Sequence, residues 1–194
     1  MTTRHETFAI FSAKILSDLY EEFPLPAELD RKAALAAVFD FDALRGYQQE
    51  LSTRKGYREI VTDLVNSDNP HLTDTQRAEL EKLLRKETGL AKDAQLTERC
   101  RQLEKEAEDL SRVWDGTLSF LEFEGYLRCT DGLWQLTEKG FTHLRKRFVD
   151  SKIEDTEKTL IQRIREQLSD PSKMGPQVLL QILGGVAGGI FGGR

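Results

Sequence analysis

The sequence is poor in the residues on which most catalytic and metal sites depend. Its 194 residues include only two cysteines and three histidines. Neither Cys100 nor Cys129 belongs to a C-x-x-C motif, and the histidines lie in separate segments without an HExxH, HxH or Cys/His spacing. A glycine-rich phosphate loop followed by Lys-Ser/Thr and a GxSxG nucleophile motif are also lacking. We therefore predict a protein that is not an enzyme and holds no metal or cofactor.

Disulfides, secretion signals and long apolar runs are scarce as well. Two cysteines cannot form a disulfide framework, so we expect a reduced cytoplasmic protein with both thiols packed inside. The N-terminus, M-T-T-R-H-E-T, lacks the layout of a signal peptide, and no run reaches the ~18 apolar residues of a transmembrane helix. The net charge of −5 argues against nucleic-acid binding through overall charge, although a local basic face remains compatible with it.

Helical periodicity is what the first part of the chain does contain. Residues 6–23 carry an i, i+3, i+4, i+7 apolar stripe, which predicts an amphipathic first helix. Pro24 and Pro26 should end this helix, because proline cannot continue its hydrogen bonds. Asp30 is suited to cap a second helix, whose apolar side would hold Leu35, Val38 and Phe39.

A mostly helical segment is predicted to follow. Its apolar spacing indicates one helix at 42–53 and another at 57–66, with a loop at 66–70. The residues Thr73–Gln76 match a capping box and should start the next helix, for which Gly89 would be a natural end.

A heptad pattern occupies residues 96–114. Apolar or small residues alternate at spacings of four and three, as in a coiled-coil seam, but over less than three heptads. The seam predicts either packing on the chain's own helices or a dimer contact. Its members are Leu96, Cys100, Leu103, Ala107, Leu110 and Trp114.

The stretch from Trp114 to Phe141 reads as a short helix, a hairpin and the start of another helix. Asp131-Gly132 is a strong signal for a two-residue turn with φ > 0 at both positions. The predicted pairs are Thr130 with Leu133, Cys129 with Trp134, Arg128 with Gln135, and Leu127 with Leu136. Because side chains alternate between faces, the predicted buried face holds Leu127, Cys129, Trp134 and Leu136.

Two more helices and a tail complete the chain. Thr137 should cap a helix with Phe141, Leu144 and Phe148 directed inward. A last amphipathic helix is predicted at about 152–168, and 170–176 has the composition of a linker.

The segments T-L-S-F-L-E-F-E-G-Y-L-R and W-Q-L-T-E-K-G-F-T-H-L, within residues 117–144, resemble bacterial winged helix-turn-helix proteins. Members of that fold often carry T-x-x-F-L-x-x-x-G-Y-[IL] in the last core helix and L-T-x-K-G after the wing. The resemblance implies a winged-helix core, with the helix at 8–23 as its first helix. Because some 90 residues separate that helix from the implied recognition helix, it also implies a helical insertion at about 40–95.

The implied recognition helix is unsuited to DNA. It contains Asp115, Glu122 and Glu124, and no lysine or arginine before Arg128. Carboxylates repel phosphates, which disfavours nucleic-acid binding at this helix. A candidate phosphate or nucleic-acid contact outside the helix is the basic cluster Arg145, Lys146, Arg147 and Lys152, and a second basic group is Arg54, Lys55 and Arg58; either could equally be a solvated helix face.

The C-terminal residues 176–194 are apolar and glycine-rich. Their glycines repeat every four residues, a spacing that lets helix backbones approach closely. The candidate association residues are Gly184, Gly185, Gly188, Gly189, Gly192 and Gly193. Val178 to Phe191 would give a helix of only ~21 Å, against ~30 Å for a hydrocarbon core. A packed or flexible tail, self-association or membrane insertion, and docking into a partner all remain open.

The predicted fold class is mostly α: a winged-helix core (1–39 and 96–150), a helical insertion (40–95), a C-terminal amphipathic helix (151–169) and a linker with the tail (170–194). The leading functional hypothesis is an interaction or assembly protein with a protein partner or self-association, whose tail oligomerises or contacts the inner membrane face. By analogy, this layout suits a toxin- or phage-defence-type effector. The alternative is a dimeric winged-helix transcriptional regulator.

Overall fold

The computed structural model describes residues 3–67, 73–84, 87–146 and 158–169. These ranges are mostly helical and contain one antiparallel hairpin, as predicted. In chain order the elements are α1 (Arg4–Glu22), α2 (Arg31–Ala36), α3 (Phe41–Asn66), α4 (Asp74–Leu84), α5 (Glu87–Phe123), β1 (Leu127–Thr130), β2 (Leu133–Leu136), α6 (Glu138–Leu144) and α7 (Leu160–Ser169).

The chain divides into two compact units. Unit 1 is Met1–Val38 with Asp109–Arg194, and unit 2 is Phe39–Glu108. Helix α5 contributes its first part to unit 2 and its last part to unit 1. The predicted linker and tail lie outside the described residues, as does most of the predicted loop at 66–70.

Helix α1 is at the centre of unit 1. A capping box between Thr3 and Glu6 fixes its start, because each residue's side chain accepts a hydrogen bond from the other's backbone N–H. Phe11 and Ile15 are fully buried, and the Phe11 ring meets that of Trp114 edge-on with centroids 5.3 Å apart. Hydrophobic burial around this predicted helix therefore forms the core of unit 1.

The hairpin has the predicted register, with Leu127 opposite Leu136 and Cys129 opposite Trp134. Asp131 and Gly132 have φ of 52° and 82°, as the predicted turn requires. The predicted buried face is only partly correct, since Leu127 and Leu136 are buried, Trp134 is half-buried and Cys129 is exposed. Cys129 lies on a part of β1 that is exposed to solvent, so the expectation of two packed thiols is wrong for Cys129.

A third strand segment extends this hairpin by one residue. The backbone N–H of Ala27 donates to the Trp134 carbonyl at 2.8 Å, and the Trp134 N–H donates to the Ala27 carbonyl at 2.9 Å. The connection between α1 and α2 is thereby joined to β2.

Three predicted helix boundaries are wrong. The helices expected at 42–53 and 57–66 form the single helix α3, because nothing between them breaks the backbone hydrogen bonds. Gly89 lies inside α5 rather than ending a helix, since a glycine costs a helix only about 1 kcal/mol. The short helix expected from Trp114 is the last part of α5, which runs for 37 residues without a break.

The caps predicted for the later helices are confirmed. Thr73 and Gln76 form the capping box that starts α4, with hydrogen bonds of 3.0 and 3.3 Å. Thr137 accepts a hydrogen bond from the Gly140 N–H and caps α6. Helix α7 packs on α1 in unit 1, where Arg165 lies 3.0 Å from Glu21. The start expected for this helix, at about 152, lies outside the described residues.

Candidate functional site

The predicted basic cluster is only partly described. Arg145 and Lys146 are exposed at the end of α6, and the Arg145 guanidinium lies 5.5 Å from the centre of the Phe141 ring. Arg147 and Lys152 lie outside the described residues. The described part of the cluster therefore offers two positive charges to solvent.

The last part of α5 has an acidic and aromatic surface. Asp115 and Glu122 are exposed, and the Phe123 side chain, next to Glu122 and Glu124, is 87% exposed. Asp115 forms a 3.0 Å ion pair with Arg31 of α2, which partly offsets the negative charge of Asp115. An exposed phenylalanine between carboxylates is better suited to contact a protein partner than the phosphate backbone of a nucleic acid. Sequence reasoning identified these carboxylates but did not single out Phe123.

Side chains of α6 contact the turn between α5 and β1. Lys139 donates to the Glu124 carbonyl and lies over the Tyr126 ring, 4.7 Å from its centre. Burial raises the pKa of Tyr126, and the nearby Glu124 carboxylate raises it further. Burial lowers the pKa of His143, with additional contributions from the positive charges of Lys146 and Lys139. The ring of His143 packs edge-on against that of Tyr126, with centroids 5.5 Å apart.

The predicted heptad seam is largely covered by the chain itself. Leu96, Cys100, Leu103 and Trp114 are buried in the single chain, while Ala107 and Leu110 are half-buried. The six glycines of the candidate association motif in the tail lie outside the described residues.

Unit 2 contains a cavity of about 360 Å³ that sequence reasoning did not predict. We call it the unit 2 cavity. It lies among α3, α4 and α5, and it combines apolar side chains with an aspartate and two arginines. Its lining residues are Thr53, Arg54, Tyr57, Arg58, Val61, Leu83, Leu84 and Asp93.

Ion pairs hold the polar end of the unit 2 cavity. Arg58 Nη2 forms an ion pair with one oxygen of Asp93 at 2.8 Å, and Arg54 donates a hydrogen bond to the other oxygen at 3.4 Å. Arg54 also donates to Glu50 at 3.2 Å, and Lys92 lies 3.7 Å from the same Glu50 oxygen. The basic group noticed in the sequence thus includes two residues of this cavity. Their partner Asp93 lies on another helix, and no local pattern connects it to them.

A second cavity of unit 2 differs in its chemistry. It has a volume of about 510 Å³ and is lined by Lys55, Arg58, Glu59, Thr62 and Asp63. Two bases and two acids cancel, and no apolar side chain is present, so the second cavity offers little selectivity. Within the described ranges, no group of three or more His, Cys, Asp or Glu side chains could hold a metal ion.

Comparisons with protein-family models, curated proteins and solved structures found no match for this chain. None of the helices in the described ranges has both the length and the apolar content needed to cross a membrane.

Proposed function

We propose that unit 1 is a winged-helix module that binds protein rather than DNA. The interface would be the last part of α5, and the tail at 176–194 would mediate oligomer or membrane contact. The observation that carries the proposal is the 87% exposure of Phe123 beside two glutamates. Exposed aromatic side chains are typical anchors of protein interfaces.

The chain order of unit 1 supports the winged-helix part of the proposal. Helix α1 is followed by the strand residue Ala27, then α2, the last part of α5 and the β1–β2 hairpin. The backbone bridge from Ala27 to Trp134 joins the segment after the first helix to the hairpin. The resemblance within 117–144 points in the same direction.

Electrostatics supports a protein partner. Asp115, Glu122 and Glu124 lie on the last part of α5, where a DNA-reading helix would need positive charge. A partner surface with basic residues around an apolar pocket would match these carboxylates and Phe123.

Site-specific crosslinking tests this interface. We expect p-benzoylphenylalanine at position 123 to give covalent protein adducts in an extract of the source cells. A matched control is the same substitution at Leu25, which is 64% exposed and belongs to unit 1 but not to α5. Adducts containing two copies of this chain would indicate self-association. Equal capture at both positions, or capture of duplex DNA at position 123, would contradict the proposal.

The tail is tested separately by comparing the full chain with a chain that ends at Lys173. We expect the full chain alone to float with liposomes or to have a higher mass in solution. No difference in either measurement would remove the tail from the proposal. Tail-dependent membrane contact would favour an effector of the toxin or phage-defence type, which is suggested only by analogy.

The alternative function is a dimeric DNA-binding transcriptional regulator. The exposure of Arg145 and Lys146 at the end of α6 favours it. It predicts binding to random duplex DNA with a steep salt dependence, lost when Arg145, Lys146 and Arg147 are changed to Glu. Absence of binding at low salt would contradict this alternative.

A further inference from the structure

The unit 2 cavity carries an inference that is independent of the function proposed for unit 1. We propose that it binds a small amphipathic monoanion, a molecule with one carboxylate on an apolar body. The proposal depends on the cavity's size, its apolar wall and the charge at its polar end.

The size and the apolar wall suit a small organic ligand. Ligand pockets in proteins are typically about 300–1,000 Å³, and this cavity has about 360 Å³. Tyr57 and Leu83 are 62% and 49% exposed, although they line it. An apolar body in the cavity would remove both side chains from water, which is favourable. The remaining apolar lining residues are Val61 and Leu84.

The polar end has an excess of one positive charge. Arg54 and Arg58 both pair with Asp93, whose side chain is only 15% exposed. Glu50 pairs with both Arg54 and Lys92, so including Glu50 and Lys92 leaves the excess of one positive charge unchanged. Two guanidinium groups against one carboxylate leave room for one further negative charge, so a monoanion would make the end neutral.

The two arginines have N–H donors available for a carboxylate. They are four residues apart on α3, so both project from the same face of the helix. Within the described ranges, Nη2 of Arg54 and both Nε and Nη1 of Arg58 have no hydrogen-bond partner. Guanidinium groups bind carboxylates through paired N–H donors. Inorganic phosphate would leave the apolar wall in water, and a neutral lipid would leave the donors unused.

Calorimetric titration of the full chain with three ten-carbon probes tests the proposal. We expect decanoate to bind more tightly than decan-1-ol, and decylammonium not to bind. Arg58→Gln should weaken decanoate binding by about fivefold, a modest value because the arginine is partly exposed. Lys55→Gln is the matched control, since it removes one positive charge from an exposed position on the same helix, and it should leave the affinity unchanged.

A substitution expected to increase the affinity separates an effect on binding from an effect on folding. Asp93→Asn removes the competing carboxylate, so it should tighten decanoate binding, whereas damage to the fold would weaken it. Leu83→Asp should abolish binding, and its exposed position makes unfolding a poor explanation for the loss. The proposal is overturned if decanoate does not bind, if Lys55→Gln weakens binding as much as Arg58→Gln, or if Asp93→Asn and Arg58→Gln both weaken it. If decanoate bound to the C-terminal tail instead, its affinity would not change in Arg58→Gln, and that result would also overturn the proposal.

Discussion

Unit 1 encloses its first helix, whereas unit 2 leaves its longest complete helix largely in water. Ten of the 19 residues of α1 are buried, but α3 buries Val61 alone among 26. Tyr57, Ile60 and Leu64 of α3 are exposed apolar side chains. The first unit has the burial expected of a stable scaffold, and the second retains apolar surface that a ligand or partner could cover.

The contacts inside the two units differ in the same way. Of the six aromatic ring pairs in the described ranges, five lie in unit 1, as between Phe23 and Phe141 with centroids 4.1 Å apart, and one, between Phe39 and Phe41, lies in unit 2. In unit 2 polar pairs join the helices, as between Gln48 and Glu104 at 2.8 Å. Partly exposed ion pairs contribute only about 0.2–1 kcal/mol each, whereas aromatic pairs add about 0.5–1.5 kcal/mol beyond the area they bury. We therefore expect unit 1 to contribute more of the stability.

The largest expected difference comes from one substitution made in each core. Leu19→Ala in α1 should lower the free energy of unfolding by about 4 kcal/mol, and Leu96→Ala in unit 2 by about 2 kcal/mol. Both leucines are buried, but Leu19 lies among the ten buried residues of α1, so we expect its surroundings to close less readily over the space left. Urea denaturation followed by far-ultraviolet circular dichroism measures both losses.

Tryptophan fluorescence makes this comparison specific to one unit. The chain's two tryptophans, Trp114 and Trp134, both lie in unit 1. Leu19→Ala should therefore lower the urea midpoint seen by fluorescence, with a larger shift than Leu96→Ala causes. An equal or larger loss for Leu96→Ala would mean that unit 2 is packed as tightly as unit 1.

Two glycine-to-alanine substitutions should change the stability of the protein in opposite directions. A Cβ atom at Gly140 would lie 2.6 Å from the Tyr126 carbonyl oxygen and 3.0 Å from the Leu136 side chain, so Gly140→Ala should cost about 2 kcal/mol. Gly56, inside α3, has nothing within 4 Å of such a Cβ. Gly56→Ala should stabilise the protein by about 0.5–1 kcal/mol through helix propensity. Thermal unfolding of both variants tests the signs.

Gly116→Ala provides a control within unit 1. It also has nothing within 4 Å of its added Cβ, and it lies inside α5. It should stabilise the protein as Gly56→Ala does, although it belongs to the same unit as Gly140. A loss of stability at Gly116 would show that steric space alone does not decide the sign.

The elements that could be predicted from the sequence are those with local causes. The hairpin register followed from Asp131-Gly132, and the caps at Thr73 and Thr137 followed from the side-chain oxygens that bond the first turn. The helix end predicted at Gly89 is wrong because the weak preference of glycine for helix ends was outweighed by the continuing hydrogen bonds of a long helix. The exposure of Cys129 depends on where the core ends, which no local pattern encodes.

The candidate sites were less accessible to sequence reasoning. Arg54 and Arg58 were noticed as a basic group, yet their pairing with Asp93 joins residues that are almost 40 positions apart. Phe123 has the spacing of an ordinary core residue, and only the fold shows it in solvent. Contacts between residues far apart in the sequence therefore form both candidate sites, whereas interactions between sequence neighbours determine the turn and the helix caps.

The smallest expected difference is a pH effect from His143 in unit 1. Its pKa is lowered in the folded protein, chiefly by burial, whereas an unfolded histidine binds its proton near pH 6.5. Below pH 6.5 the unfolded chain therefore binds more protons, and stability should fall as the pH falls until the folded pKa is passed. Solvent around the half-exposed ring should keep the loss below about 1 kcal/mol. We expect the urea midpoint from tryptophan fluorescence to fall between pH 7.5 and 5.5, and His143→Gln to reduce that fall. An unchanged slope in His143→Gln would assign the pH dependence to other groups.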